Sequence, residues 1–168
     1  MADFAALLTE QIPRLRRYAR ALVGTQGADD LVQDGLERAW SRRQLWTGEG
    51  ELRPWLFTIL HNLYVNQVRY RVHAPPLDPL PEEEPPALAP SRHEAALELR
   101  DLERALAALS AEHREVLLLV GLEQLDYAEV ATILNVPLGT VMSRLARARE
   151  ALRRILQEPP RARLRRVK

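Results

Sequence analysis

Cysteine is absent from the 168 residues, which excludes disulfides, thiolate metal sites and a cysteine nucleophile and suits a reducing compartment. Long apolar runs are missing too. Nowhere do eighteen apolar residues follow one another, and the first ten residues carry Asp3 and Glu10 with no basic cluster ahead of an apolar stretch. Neither export nor membrane insertion is expected, and a cytoplasmic location is. Aromatic residues are only 5% of the chain. The histidines, His61, His73, His93 and His113, are dispersed without metal-ligand spacing. No nucleophile arrangement or phosphate-cradling glycine loop accompanies them. The reading is therefore no enzyme, no catalytic residue, no metal and no cofactor. Net charge is nearly nil as well, at +1.

What the chain does have is a globular balance, 46% hydrophobic and 28% charged, in a length that suits one ordinary domain or two very small ones. Seven of the twelve prolines fall between Pro75 and Pro90, around Glu82, Glu83 and Glu84. Proline fixes φ and removes amide donors, so this stretch is expected to be an extended tether rather than a helix. The chain divides into a lobe at 1–72, a Pro/Glu-rich linker at 73–94, a second lobe at 95–158 and a basic tail at 159–168. Lobes that small bury only about 60% of their unfolded surface, so each is expected to gain from a partner. Charge is polarised in the second lobe: residues 96–134 carry three basic against eight acidic side chains, and 135–158 five against two. That asymmetry is expected of a surface with one side facing phosphate.

Both lobes read as helical, giving an all-α fold of two small domains. Leu7, Leu8, Ile12, Leu15, Ala19 and Leu22 repeat at helical steps until Gly24. Asp29 and Asp30 are placed in the first turn of the next helix, where the macrodipole favours acids, and Leu31, Val32, Leu36, Ala39 and Trp40 form its apolar face. A loop is expected from Ser41 to Arg53, then a helix from Pro54 to about Arg71 with Leu56, Ile59, Leu60 and Leu63 as its core stripe. The second lobe reads as helices at 95–109, 112–122, Asp126 to about Leu134, and Gly139 or Thr140 to about Leu156, with Ser110 as a cap and a turn at Asn135, Val136 and Pro137.

A short helix, a tight turn and a longer helix make a helix-turn-helix, whose second helix enters the major groove. On a 100° wheel Val141, Leu145, Ala148, Leu152 and Ile155 share one stripe, while Thr140, Ser143, Ala146, Arg147 and Arg154 lie opposite, with Arg144 and Arg149 on the flanks. Ser143 suits a base edge and Arg147 a two-pronged contact with guanine; Arg144, Arg149, Arg153 and Arg154 suit phosphates. A solvated charged face would account for the arginines alone. On the 54–71 helix, Asn62, Asn66 and Arg69, with Thr58, share a polar side able to hydrogen-bond an unpaired base. On the 28–40 helix, Asp30, Gln33, Asp34 and Glu37 lie on one side and offer acids and an amide to a basic partner.

Residues 126–152, DYAEVATILNVPLGTVMSRLARAREAL, resemble the fourth conserved region of extracytoplasmic-function sigma factors of bacterial RNA polymerase, and 108–119, ALSAEHREVLLL, is similar to the segment before it. ADDLVQDGLERAW, 28–40, and RPWLFTILHNLYVNQVRYR, 53–71, look like the second region. Met142 and Val120 stand where many relatives carry a basic residue. The resemblance implies Thr140, Ser143, Arg144, Arg147 and Arg149 at the −35 promoter element and Asn62, Asn66 and Arg69 at the −10 element. It implies Asp30, Gln33 and Asp34 on core RNA polymerase, an anti-sigma factor as a further partner, and the loop from Ser41 to Gly50, with Arg42, Arg43 and Trp46, as a pocket for a flipped base. Trp40, Trp46 and Trp55 also fit plain core packing. The other readings are a sigma-like decoy that sequesters an anti-sigma factor without binding DNA, and an autonomous helix-turn-helix repressor, which would need a dimerisation element.

Overall fold

The computed structural model describes residues 3–48, 50–73 and 90–158, with backbone alone at 90–96. Among them are seven α-helices and no strand: α1 (Phe4–Val23), α2 (Thr25–Ser41), α3 (Leu52–His73), α4 (Pro90–Ala108), α5 (Ala111–Leu117), α6 (Tyr127–Leu134) and α7 (Leu138–Gln157). Most of the linker, 74–89, and the tail from 159 lie outside the described residues.

The first lobe is α1, α2 and α3. The Asp3 side chain caps α1 by accepting from the Ala5 amide at 3.2 Å. Gly24, at φ 83°, turns the chain directly into α2 while its amide bonds the Arg20 carbonyl at 3.0 Å. Because α2 starts at Thr25, Asp29 and Asp30 sit in its second turn, one turn later than expected, and the first turn holds no acid. Gly35 lets α2 and α3 approach: a Cβ there would stand 2.6 Å from Cδ2 of Leu60. The expected loop is shorter than read, with a 3-10 turn at Arg43–Leu45, and α3 begins at Leu52 with Pro54 inside its first turn.

In the second lobe α4 begins at Pro90, five residues earlier than read, because proline at a first helical position loses no bond. Ser110 caps α5 through the His113 amide at 3.3 Å. The helix expected to reach Leu122 instead widens after Leu117 into a π-helical turn, Leu118–Leu122, closed by the Glu123 amide on the Leu118 carbonyl at 3.0 Å. α6 opens on a reciprocal capping box. The Glu129 amide donates to Asp126 Oδ1 at 2.8 Å and the Asp126 amide to Glu129 Oε2 at 3.0 Å. Asn135, left-handed at φ 52°, ends α6, and Pro137 leads into α7.

The two lobes are packed on each other. Their buried apolar side chains form one cluster, running from Leu15, Leu22, Leu31 and Leu60 to Val116, Leu119, Val130 and Leu145. So each lobe's expected partner is, in this arrangement, the other lobe. Polar links line the seam. Buried Glu115 accepts from His61 Nδ1 at 2.7 Å and from the Tyr18 hydroxyl at 3.5 Å. Arg17 donates to Glu123 at 2.9 Å. Arg114 bonds the Leu22 carbonyl at 2.9 Å and spends its other donors on the carbonyls of Leu106, Ala107 and Leu109 at the end of α4. Tyr18, packed edge-on against Phe57 at 4.9 Å, has its hydroxyl pKa raised well above the usual 10.0, first by burial and next by the charge of Glu115.

Candidate nucleic-acid interface

The turn geometry of α6 and α7 fixes which way α7 presents its side chains. Val141, Leu145 and Ala148 are buried, and Leu152 and Ile155 half-buried, as the wheel requires. On the other side Ser143, Arg147 and Arg149 are exposed and Thr140 is partly so. The Ser143 hydroxyl donates to the Thr140 carbonyl at 3.1 Å, which leaves its oxygen free to accept. Arg144 differs from the rest of the set. It reaches across to Glu112 on α5 at 3.3 Å and is only a quarter exposed, so its charge is partly engaged within the lobe. Arg153 pairs with Glu150 at 3.3 Å.

On α3, Asn62, Asn66 and Arg69 are exposed along one side, as expected, while Thr58 is half-buried and donates to the Pro54 carbonyl at 3.0 Å. Leu56, Ile59 and Leu60 are buried and Leu63 partly so. The wheel missed a second buried flank, Phe57 and Tyr64, with His61 between them. His61's partner Glu115 shows that this flank faces the other lobe. Burial raises the Tyr64 pKa; nearby Arg114 lowers it and Glu115 raises it. An aromatic pair at i and i+7 bracketing a histidine was the available signal.

The tryptophans gather around Phe4 at the start of α1. Ring centroids of Trp40, Trp46 and Trp55 lie 6.1, 5.7 and 6.4 Å from it. Arg43 stacks over Trp40 at 5.0 Å and donates to its carbonyl at 2.9 Å. The loop side chains thus form a packed aromatic cluster, with Trp40 about half exposed at 48%. On α2, Asp30, Gln33 and Asp34 are all exposed on one side, and Gln33 donates to Glu37 at 3.2 Å. An apolar-walled groove beside Asp34, lined by Leu63, Asn66, Gln67, Tyr70 and Arg71, runs between α2 and α3. Among the described residues no cluster of three metal-ligating side chains occurs, and no helix is long and apolar enough to cross a membrane.

Residues 8–61 match the family model described as the Sigma2 domain of PhyR, and residues 99–152 match Sigma-70, region 4. The chain is 37% identical over 160 residues to the ECF RNA polymerase sigma factor SigL of Mycobacterium tuberculosis, covering 91% of this chain and 88% of SigL. It belongs to the extracytoplasmic-function sigma factors. The sigma factor RpoE of Bartonella quintana, solved in complex with the anti-sigma factor NepR, superposes with a TM-score of 0.74 at 32% identity. That match covers 93% of this chain and 98% of RpoE. The anti-anti-sigma factor PhyR of the same organism, also solved with NepR, shares the fold at a TM-score of 0.60 and 16% identity, over 90% of this chain and half of PhyR. In family terms α1 to α3 form the sigma2 module and α4 to α7 the region 4 module.

Proposed function

We propose that this sigma factor binds core RNA polymerase through Asp30, Gln33 and Asp34, recognises the −35 element with Thr140, Ser143, Arg147 and Arg149, and reads the −10 element with Asn62, Asn66 and Arg69. The observation that carries this reading is the orientation of α7: its apolar stripe is spent on the core, and Ser143 and Arg147 point outward. Arg147 then serves base readout, while Arg149 and Arg154 serve phosphate affinity. Arg144, drawn toward Glu112, joins the phosphate contacts after exchanging that pair for the duplex. The phosphodiester chemistry belongs to the polymerase, so the chain is a binding subunit and not an enzyme, and it works where the polymerase is, in the cytoplasm. An anti-sigma factor is its proposed third partner, as NepR is for RpoE.

The docked arrangement stores these faces but does not deploy them. A compact chain of 168 residues is roughly 40 Å across. Promoter elements 25 positions apart are separated by roughly 85 Å of duplex. The lobes must therefore part on the promoter, and the sixteen residues between α3 and α4 can reach up to about 55 Å. Part of the seam is apolar, and opening it costs that burial; its hydrogen bonds and ion pairs are exchangeable, since each opened group regains water.

A decoy that only captures an anti-sigma factor is disfavoured, because it needs no outward Ser143 and Arg147. Run-off transcription with purified core polymerase separates the two readings: a promoter-dependent transcript that appears only with this protein supports the sigma factor. Binding to an anti-sigma factor without any transcript supports the decoy. Asp34→Arg is expected to weaken core binding while leaving the helical circular dichroism intact.

A further inference from the structure

The outward side of α7 is not uniformly polar. Leu138 and Met142, one turn apart, are 48% and 54% exposed, and Ala146, one turn further on, is exposed as well. Side chains at four-residue steps stack along one face of a helix, so the three form a ridge. Both large side chains lie outside the buried stripe of Val141, Leu145 and Ala148 that anchors the helix.

The surroundings of the ridge indicate what covers it. Ser143 and Arg147 run alongside it, and Arg149 and Arg153 continue the same face toward the C-terminus; all four are exposed. The one acid of α7, Glu150, is paired with Arg153 at 3.3 Å. An apolar strip bordered by cations has its complement in duplex DNA, which offers phosphates to the arginines and, in the major groove, the C5-methyl group of thymine to the strip. A recognition helix sets its N-terminal residues on base edges, and Leu138 and Met142 occupy the first two turns of α7. The unbranched thioether of methionine adapts to such a contact. An amino group of cytosine or adenine at the same place would lose water and gain no hydrogen bond, so the strip favours thymine over both.

We infer that Met142, backed by Leu138, is a specificity-determining residue that reads the methyl group of a thymine in the −35 element, at a position distinct from the one Arg147 reads. The inference rests on the proposed −35 role of α7 and adds to it an apolar contact that selects a base without a hydrogen bond.

The test uses holoenzyme reconstituted from core polymerase and the full chain. Binding-site selection first defines the upstream element. Promoter duplexes are then titrated in which each thymine of that element is replaced in turn by deoxyuridine, which removes the methyl group alone. At one thymine the unaltered protein is expected to lose about fourfold in affinity, as for the burial of one methyl group. Met142→Ala should bind thymine and deoxyuridine equally there, and a repeated selection should relax the choice of base at that position. Arg147→Ala should keep the deoxyuridine penalty and relax a different position. An upstream element selected without thymine would overturn the proposal, and so would a full penalty retained by Met142→Ala. Indifference to deoxyuridine at every thymine would assign Leu138 and Met142 to a protein partner and overturn it too. Run-off transcript from the selected promoter, made alongside any of these results, would leave the sigma-factor reading standing. No transcript from any promoter would end both.

Discussion

Helices α3 and α7 are of similar length, 22 and 20 residues, yet they are buried in different ways. One stripe of α7 is covered and the rest is open, so its function is readable from a wheel. α3 is covered on two sides, by α2 and by the second lobe, and keeps the Asn62, Asn66 and Arg69 edge and its last turn, Tyr70–His73, outside. The difference teaches that the region 4 module keeps its proposed interface open while the lobes are docked. The sigma2 module has part of its surface committed to the docked state.

The largest effect should come from cutting cores that both states need. Leu60→Ala on α3 and Leu145→Ala on α7, each buried, should each cost about 2–5 kcal/mol in urea unfolding. A much smaller loss at either site would mean that helix is not anchored as described. Next, Glu115→Ala strands His61 and Tyr18 and should cost about 3 kcal/mol, whereas Glu115→Gln, which retains an acceptor, should cost clearly less. Equal losses would show that the seam depends on packing and not on the hydrogen bonds that Glu115 accepts. Arg147→Ala should weaken promoter binding by about 1–3 kcal/mol and relax one upstream base preference; an unchanged preference in a binding-site selection would remove it from direct readout. The smallest effect is in alkali. Because Tyr18 has a raised folded pKa, the unfolded chain loses that proton first. The stability is complete below about pH 10 and is lost as pH climbs through the folded value. Tyr18→Phe should flatten that alkaline decline in thermal unfolding; an identical decline would assign it to other groups.

The helices, the helix-turn-helix and the outward set on α7 were legible because each depends on local rules: a capping box at Asp126, a left-handed Asn135 and a single apolar period. Helix starts were misread where two signals competed. Gly24 turned the chain so sharply that α2 began before its acids, and Pro90 acted as a first helical residue in a segment whose other prolines argued for a tether. The seam was hidden because its partners are far apart in sequence and are polar: Glu115, Glu123 and Arg114 look like ordinary surface charges until the other lobe covers them. Phe57 and Tyr64 were the trace of it, apolar residues off the main stripe with no local reason to be there.

The absence of native cysteine makes the docked-to-parted claim directly measurable by energy transfer between dyes on Gln26→Cys and Gln157→Cys, both exposed positions on α2 and α7. The free protein should show efficient transfer, with the dyes within roughly 40 Å, and the complex with core polymerase and promoter should lose it as the lobes move apart. Undiminished transfer in a complex that is making run-off transcript would contradict the account.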